Sequence, residues 1–259
     1  MRSQTEKAMA FRALHERKSA FIIPNPWDIG SARILERLGF EALATTSLGF
    51  ALSIGRSDGD VDRDAMLAHV AQLAAATDLP VSADLENGYA DEPGGVAETV
   101  RLAAAAGLAG CSIEDLPLGR QGEPYDLEFA AKRVRAAVDA ARSLPFPFTL
   151  TARAENLIAG RPDLDDTIAR LQAYQDAGAD VLYAPGLRTE DEIAAVVRAV
   201  DRPVNVLAST LGTALDLAAL ERLGVRRVSV GGALARLAYD TMTQTAAEMR
   251  EGGTFSFAR

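Results

Sequence analysis

The chain has a single cysteine and two histidines, His15 and His69, among 259 residues. One thiol cannot close an intramolecular disulfide or build a cysteine zinc site, and two imidazoles are too few for a histidine-rich metal centre. Carboxylates remain as ligands for a hard cation. Positive charge in excess is also missing: 27 Lys and Arg against 36 Asp and Glu leave a net charge of −9. That field repels nucleic acid and anionic lipid, so an anionic small molecule must be drawn in by local groups or by a bound cation. No run of about 18 apolar residues occurs, and the opening segment MRSQTEKAMAFRALHERKSA is charged rather than apolar. The expectation is a cytoplasmic protein with neither a nucleic-acid nor a membrane partner.

What the sequence does contain is a repeated unit. Short β-branched runs alternate with Ala, Leu and Arg-rich stretches of helical period, punctuated by Gly, Pro and Asp. The runs are 21–23, 42–46, 81–85, 111–114, 149–152, 181–184, 204–208 and 228–230. Most are apolar on both faces, as buried parallel strands are. Eight strand–helix units of about 30 residues predict a single-domain (β/α)8 TIM barrel over residues 1–259. A doubly wound open sheet would open on a glycine-rich turn. Here the first run leads into Pro24-Asn25-Pro26-Trp27-Asp28 instead. The segment before Ser19 is expected to form a helix closing the barrel bottom.

Barrel active sites lie at the C-terminal ends of the strands, so polar residues just beyond each apolar run are the candidates. This filter selects Asn25 and Asp28, then Thr45, Thr46, Ser47 and Gly49, then Asp84, Glu86 and Asn87. It continues with Glu114 and Asp115, Arg153, Glu155 and Asn156, and finally Asn205, Ser209 and Thr210. Asp84 and Glu86 are two apart in what reads as extended chain, so both point to one side. With Glu114 they would form a like-charged group that raises a pKa or demands a cation such as Mg²⁺, unless they cap a helix or pair with Arg. Arg153 is placed either to grip a substrate carboxylate or phosphonate, or to form an internal salt bridge to Glu114 or Glu155. Residues 45–49 read as a helix-free bend offering hydroxyls and N–H groups to an anion, or as an ordinary turn. Gly231-Gly232 fits either a phosphate site or close helix packing. Cys111 has the parity of a buried structural thiol facing the helices, and both histidines read as packing or surface groups.

Four segments in order, NPWDIGSARILERLGFEALATTSLGFALSIG, SADLENGYA, CSIED and TARAE, resemble the isocitrate lyase/phosphoenolpyruvate mutase superfamily from about Phe11 to Ala246. The resemblance implies a barrel that binds Mg²⁺ and a small α-oxycarboxylate, with the last helix swapped between subunits of a homodimer or homotetramer. It implies Asp84 as direct metal ligand, with Glu86 and Glu114 holding metal-bound waters. Thr46, Ser47 and Leu48 would take the substrate carboxylate, with Asn205 among the substrate-binding residues. Arg153 would meet the oxygen at the breaking bond, and Asp58 would border the mobile entrance. Members of this superfamily that are lyases of the isocitrate and methylisocitrate type carry a cysteine in the loop after the fourth strand. Here that loop reads LPLGRQGEPYDLEF, without Cys, Lys or His. Arg120 and Tyr125 are its candidates for reaching over the substrate, Arg120 counting as catalytic beside Arg153, Glu114 and Asp58.

The expected activity is a Mg²⁺-dependent C–C lyase acting on a small α-keto or α-hydroxy carboxylate through an enolate, of oxaloacetate-decarboxylase or acylpyruvate/malate type. The alternatives are a phosphoenolpyruvate mutase or phosphonopyruvate hydrolase, and a non-catalytic α-keto acid binding protein.

Overall fold

The computed structural model describes residues 2–118, 122–211 and 215–257. Eight parallel strands are found among them: β1 (Phe21–Ile23), β2 (Leu43–Ala44), β3 (Val81–Asp84), β4 (Gly110–Glu114), β5 (Thr149–Arg153), β6 (Val181–Tyr183), β7 (Val204–Leu207) and β8 (Arg227–Ser229). Ladders run β1-β8-β7-β6-β5-β4-β3-β2. The seam between β1 and β2 is held by a backbone hydrogen bond from Ala44 to the Pro24 carbonyl, 3.1 Å. Asn25 reinforces it: its amide donates to the Thr45 carbonyl at 3.0 Å and its Oδ1 accepts from Val230 and Gly231 at 2.9 Å. The result is the (β/α)8 barrel expected from the strand–helix alternation.

Helices α1 (Gln4–Glu16), α2 (Ile29–Arg37), α3 (Ser47–Ser53), α4 (Arg63–Ala76), α5 (Pro93–Ala105), α6 (Leu127–Arg142), α7 (Leu164–Asp176), α8 (Glu190–Ala199), α9 (Leu217–Arg222) and α10 (Ala233–Gly252) surround the strands. Local chemistry fixes where several begin. Asp28, Asp62, Asp126, Asp163 and Asp216 each cap a helix by accepting a backbone N–H, and Ser3 and Thr189 close capping boxes with Glu6 and Glu192. Each cap stabilises its helix by about 1 kcal/mol. Asp28 is thereby a structural residue. In α6, Ala130, Val134, Ala137, Val138 and Ala141 recur at helical spacing and are buried. Replacing Ala137 by Asp would put an unpaired charge into that seam.

Outward-facing strand residues such as Ile113, Leu150, Leu182 and Val206 join these helices in one core, with Cys111 fully buried among them as its parity predicts. Helix α1 closes the barrel bottom through Phe11 and Leu14 against Phe21 and Ile23. The barrel interior is polar where such barrels are usually filled by branched apolar side chains. Ladder register aligns Glu114, Arg153, Tyr183, Asn205 and Arg227 as successive partners across β4 to β8. Helix α10 stands apart: Ala235 alone is buried among its described residues, while Leu237 and Met242 are exposed. Among the described residues no helix is long and apolar enough to cross a membrane.

Candidate active site

A cavity of about 640 Å³ opens at the C-terminal ends of the strands. Thr46, Ser47, Leu48, Asp58, Asp84, Arg153 and Asn205, all singled out in the sequence, line it. Arg153 is the hub. Its Nη1 lies 2.9 Å from Asp84 Oδ1, its Nη2 3.2 Å from Glu114 Oε2 and its Nε 2.8 Å from Glu155 Oε1. Burial alone would weaken the guanidinium's hold on its proton, but Glu155, Glu114 and Asp84 more than reverse this and hold its pKa well above the usual value. Both readings of Arg153 therefore meet in one residue: it forms the internal salt bridges and still faces the cavity.

The carboxylates do not sit as extended chain predicts. Strand β3 ends at Asp84, and Glu86 adopts a left-handed φ of 50°. That conformation is strained for a side chain bearing Cβ. Two clamps impose it. Glu114 N–H donates to the Glu86 carbonyl at 2.9 Å. The fully buried Arg133 of α6 donates to the carbonyls of Asn87, Ala90, Asp91 and Glu114. Burial, then Asp84 and Asp58, push the Glu86 carboxyl up to about 8, and burial likewise holds Glu114 well above the carboxylate range. Glu114 lies against Arg153, and Glu86 stands beside Ser47 and Asp84. Among the described residues no three His, Cys, Asp or Glu side chains are drawn together closely enough to cage a metal as they stand. The donors are nevertheless hard oxygens crowded at like charge, the chemistry that a Mg²⁺ ion held by one or two carboxylates and water relieves.

Opposite Asp84, the segment read as a helix-free bend is the start of α3. Thr46 caps it, its hydroxyl oxygen accepting from Gly49 N–H at 3.3 Å. A Cβ at Gly49 would meet Thr46 Cγ2 at 2.6 Å and Trp27 Cβ at 2.7 Å, so only glycine allows the helix to begin there. Ser47 presents its N–H and Oγ to Asp84 Oδ2, 3.3 and 3.1 Å away. These groups suit an anion at a helix N-terminus. Asp58 lies at the mouth, where withdrawal from water and then Asp84 push its carboxyl upward.

Other expectations resolve into structure. Gly231-Gly232 is a packing element: Val230 and Gly231 spend their N–H groups on Asn25, and a Cβ on Gly232 would lie 2.5 Å from Leu48. Asp115 is locked away by Glu155 N–H, Arg170 and Tyr174. Asn156 binds the Asp163 carbonyl and Thr167. Tyr125 does not reach over the substrate region: its hydroxyl is held by Asn87 and Asp91, and its ring packs under Arg133. Arg120 lies outside the described residues. The sequence filter missed Tyr183, Ser229 and Arg227, which line the cavity floor, and Arg236 of α10 on its wall. Strand parity counted inward from Arg153 across the ladder was the signal that could have found the first three.

An uncharacterised Mycobacterium tuberculosis protein is 36% identical over 226 residues, 86% of this chain and 82% of its own length. The oxaloacetate decarboxylase of Paraburkholderia xenovorans is 31% identical over 208 residues, covering 77% of this chain and 68% of that protein. A Burkholderia cenocepacia crystal structure described only as a candidate lyase or mutase superposes with a TM-score of 0.95 at 64% identity, covering 98% of this chain and 91% of that one. The phosphoenolpyruvate phosphomutase family model matches residues 11–250, and the chain belongs to that family.

Proposed function

We propose that this chain is a Mg²⁺-dependent lyase that cleaves a C–C bond in a small α-keto or α-hydroxy carboxylate. The observation that carries the reading is Arg153, fixed by three carboxylates on the wall of the strand-end cavity with the α3 N-terminus opposite. Asp84 would hold the metal directly, with Glu86 and Glu114 acting through water. Bound there, the ion would supply Lewis-acid stabilisation of the negative charge left when the bond breaks. Thr46, Ser47 and Leu48 receive the substrate carboxylate, Asn205 contacts the substrate, and Asp58 borders the entrance. Arg153 neutralises charge developing on the substrate oxygen from a preorganised position.

Within this class the chemistry points to decarboxylation of an oxaloacetate-type acid. Cleavage that uses a thiol as acid has no agent here, since Cys111 is buried behind the strands and burial pushes its thiol pKa upward. Decarboxylation needs only the charge stabilisation just described, and the Paraburkholderia relative carries that activity in its name. P–C cleavage is the second reading, favoured by the family model.

A panel of oxaloacetate, 2-methylisocitrate, isocitrate, dimethylmalate and phosphonopyruvate with Mg²⁺, followed for pyruvate and phosphate, separates these readings. Oxaloacetate turnover without phosphate is expected. Phosphate release would establish the phosphonate reading, and oxalate binding with no turnover a binding protein. Asp84→Ala should cost at least about a hundredfold in turnover, and unchanged turnover would sink the assignment. The exposed apolar side of α10 supports a helix-swapped homodimer or homotetramer. Light scattering showing a monomer at micromolar concentration would refute it.

A further inference from the structure

Beneath the carboxylate cluster, at the start of β8, Arg227 is 5% exposed and forms no ion pair among the described residues. Its partners are neutral. Nε donates to Asn205 Oδ1 at 2.8 Å and Nη2 to Thr151 Oγ1 at 3.0 Å, and Nη1 lies 3.4 Å from His15 Nε2. The protonation of this network follows from its chemistry. His15 Nδ1 faces the Phe11 carbonyl at 2.8 Å, which can only accept, so Nδ1 carries the hydrogen and Nε2 offers a lone pair to Arg227. Burial and then Arg227 push His15 down to about 3, so it stays neutral. Burial lowers Arg227 to about 10, and it stays charged at neutral pH. A buried cation without a counter-ion is costly, and apolar side chains usually fill this level of a barrel. The charge therefore calls for a use.

Hydrogen-bond direction supplies one. A guanidinium can only donate, so the Asn205 atom it meets must be Oδ1, and the amide nitrogen is left to donate to Ser229 Oγ at 3.0 Å. Ser229, having accepted, keeps its single proton to donate; the neighbouring Tyr183 hydroxyl draws on it, and an anionic oxygen brought into the cavity competes as the stronger acceptor. Ser229 lines the cavity.

We infer that Arg227 is a positioning residue for anion recognition: through Asn205 it turns the Ser229 hydroxyl into a hydrogen-bond donor facing the cavity floor, where an anionic oxygen of the bound carboxylate is received. This rests on the carboxylate-binding reading of the same cavity. Arg227 touches no ligand itself; it sets the polarity of the chain that does, and its uncompensated charge favours ligands that are anionic at that end.

The test is calorimetric titration of the full chain with oxalate in the presence of Mg²⁺, using wild type, Arg227→Met, Arg227→Lys, Ser229→Ala and the double variant R227M/S229A. Arg227→Met should weaken oxalate at least about tenfold and Ser229→Ala about three- to tenfold, the range of one or two hydrogen bonds to a charged group. The double variant should bind no more weakly than Arg227→Met, because Ser229 is no longer aimed. Arg227→Lys, which keeps the charge but cannot hold Asn205 and Thr151 together, should fall between wild type and Arg227→Met. A purely structural role would lower the melting temperature without this non-additivity. If Arg227→Met does not fold, Ser229→Ala alone decides. Unchanged oxalate affinity in Ser229→Ala, or multiplying effects in the double variant, would overturn the inference. Arg227-dependent oxalate binding with no turnover on any acid would sink the lyase reading and leave this one standing. Turnover in wild type with unaltered oxalate affinity in Arg227→Met would do the reverse.

Discussion

Arg153 and Arg227 stand in the same row of ladder partners, separated by Tyr183 and Asn205, and both are withdrawn from water. Their surroundings are opposite. Arg153 is wrapped by Asp84, Glu114 and Glu155, whereas Arg227 meets an amide, a hydroxyl and an imidazole. At the upper end carboxylates outnumber the cation, so ionising them all leaves a negative surplus that calls for a metal. At the lower end the surplus is positive and calls for an anion. A substrate that is anionic and chelates a cation satisfies both at once.

The largest effect that could break this comparison comes from removing each arginine in turn. Arg153→Met strands three buried carboxylates, and metal-free protein at pH 8 should lose about 3–5 kcal/mol of unfolding free energy in urea. Turnover should fall by at least about a hundredfold. Arg227→Met strands no charge, so its stability should be unchanged or raised. Equal losses in the two variants would erase the distinction.

A second test uses pH at the upper end. Glu86 titrates near 8 when folded, against an ordinary 4.5. Between those values the folded state holds more protons than the unfolded one, so this contribution is present at low pH and is lost as pH rises toward 8. Melting temperatures of the metal-free protein should show that decline, Glu86→Gln should flatten it, and Mg²⁺ should suppress it by favouring the ionised form. A slope unchanged in Glu86→Gln would remove Glu86 from the cluster.

The smallest expected effect has the opposite sign and belongs to the floor. His15 titrates near 3 when folded against an ordinary 6.5. The folded state then holds fewer protons, so stability is lost as pH falls below 6.5. Only the upper part of that window precedes acid unfolding, which keeps the measurable change small. His15→Phe should abolish it, and a His15 that titrates normally by NMR would contradict the neutral network.

The sequence made the barrel legible because its strands are apolar on both faces and its helices carry caps and stripes, both local signals. Asp84, Arg153 and Asn205 were legible because each ends a strand or lies near its end. Glu86 was misread because its φ of 50° is imposed by Arg133, 47 positions along the chain and silent in any local pattern. The α3 start differs from the bend because a Gly close after Thr and Ser looks like a turn until Trp27 is packed against it. Arg227 was passed over because it lies at the beginning of its strand, where the strand-end rule does not look, and only the shear of the barrel brings it under the cavity.

The seam between β1 and β2 carries a further consequence. Strand β2 is two residues long, and among the described residues the hydrogen bonds across the seam are one backbone bond and that of the Asn25 amide. Cooperative opening units start where such fastenings are fewest. The residues that follow β2 are Thr45, which receives the Asp84 N–H, and Thr46 and Ser47, which face the cavity. Amide exchange along residues 43–49 should therefore report occupancy of the site, slowing when an anion bridges Ser47 to the opposite wall, so that the weakest stitch in the barrel doubles as its gauge of ligand binding.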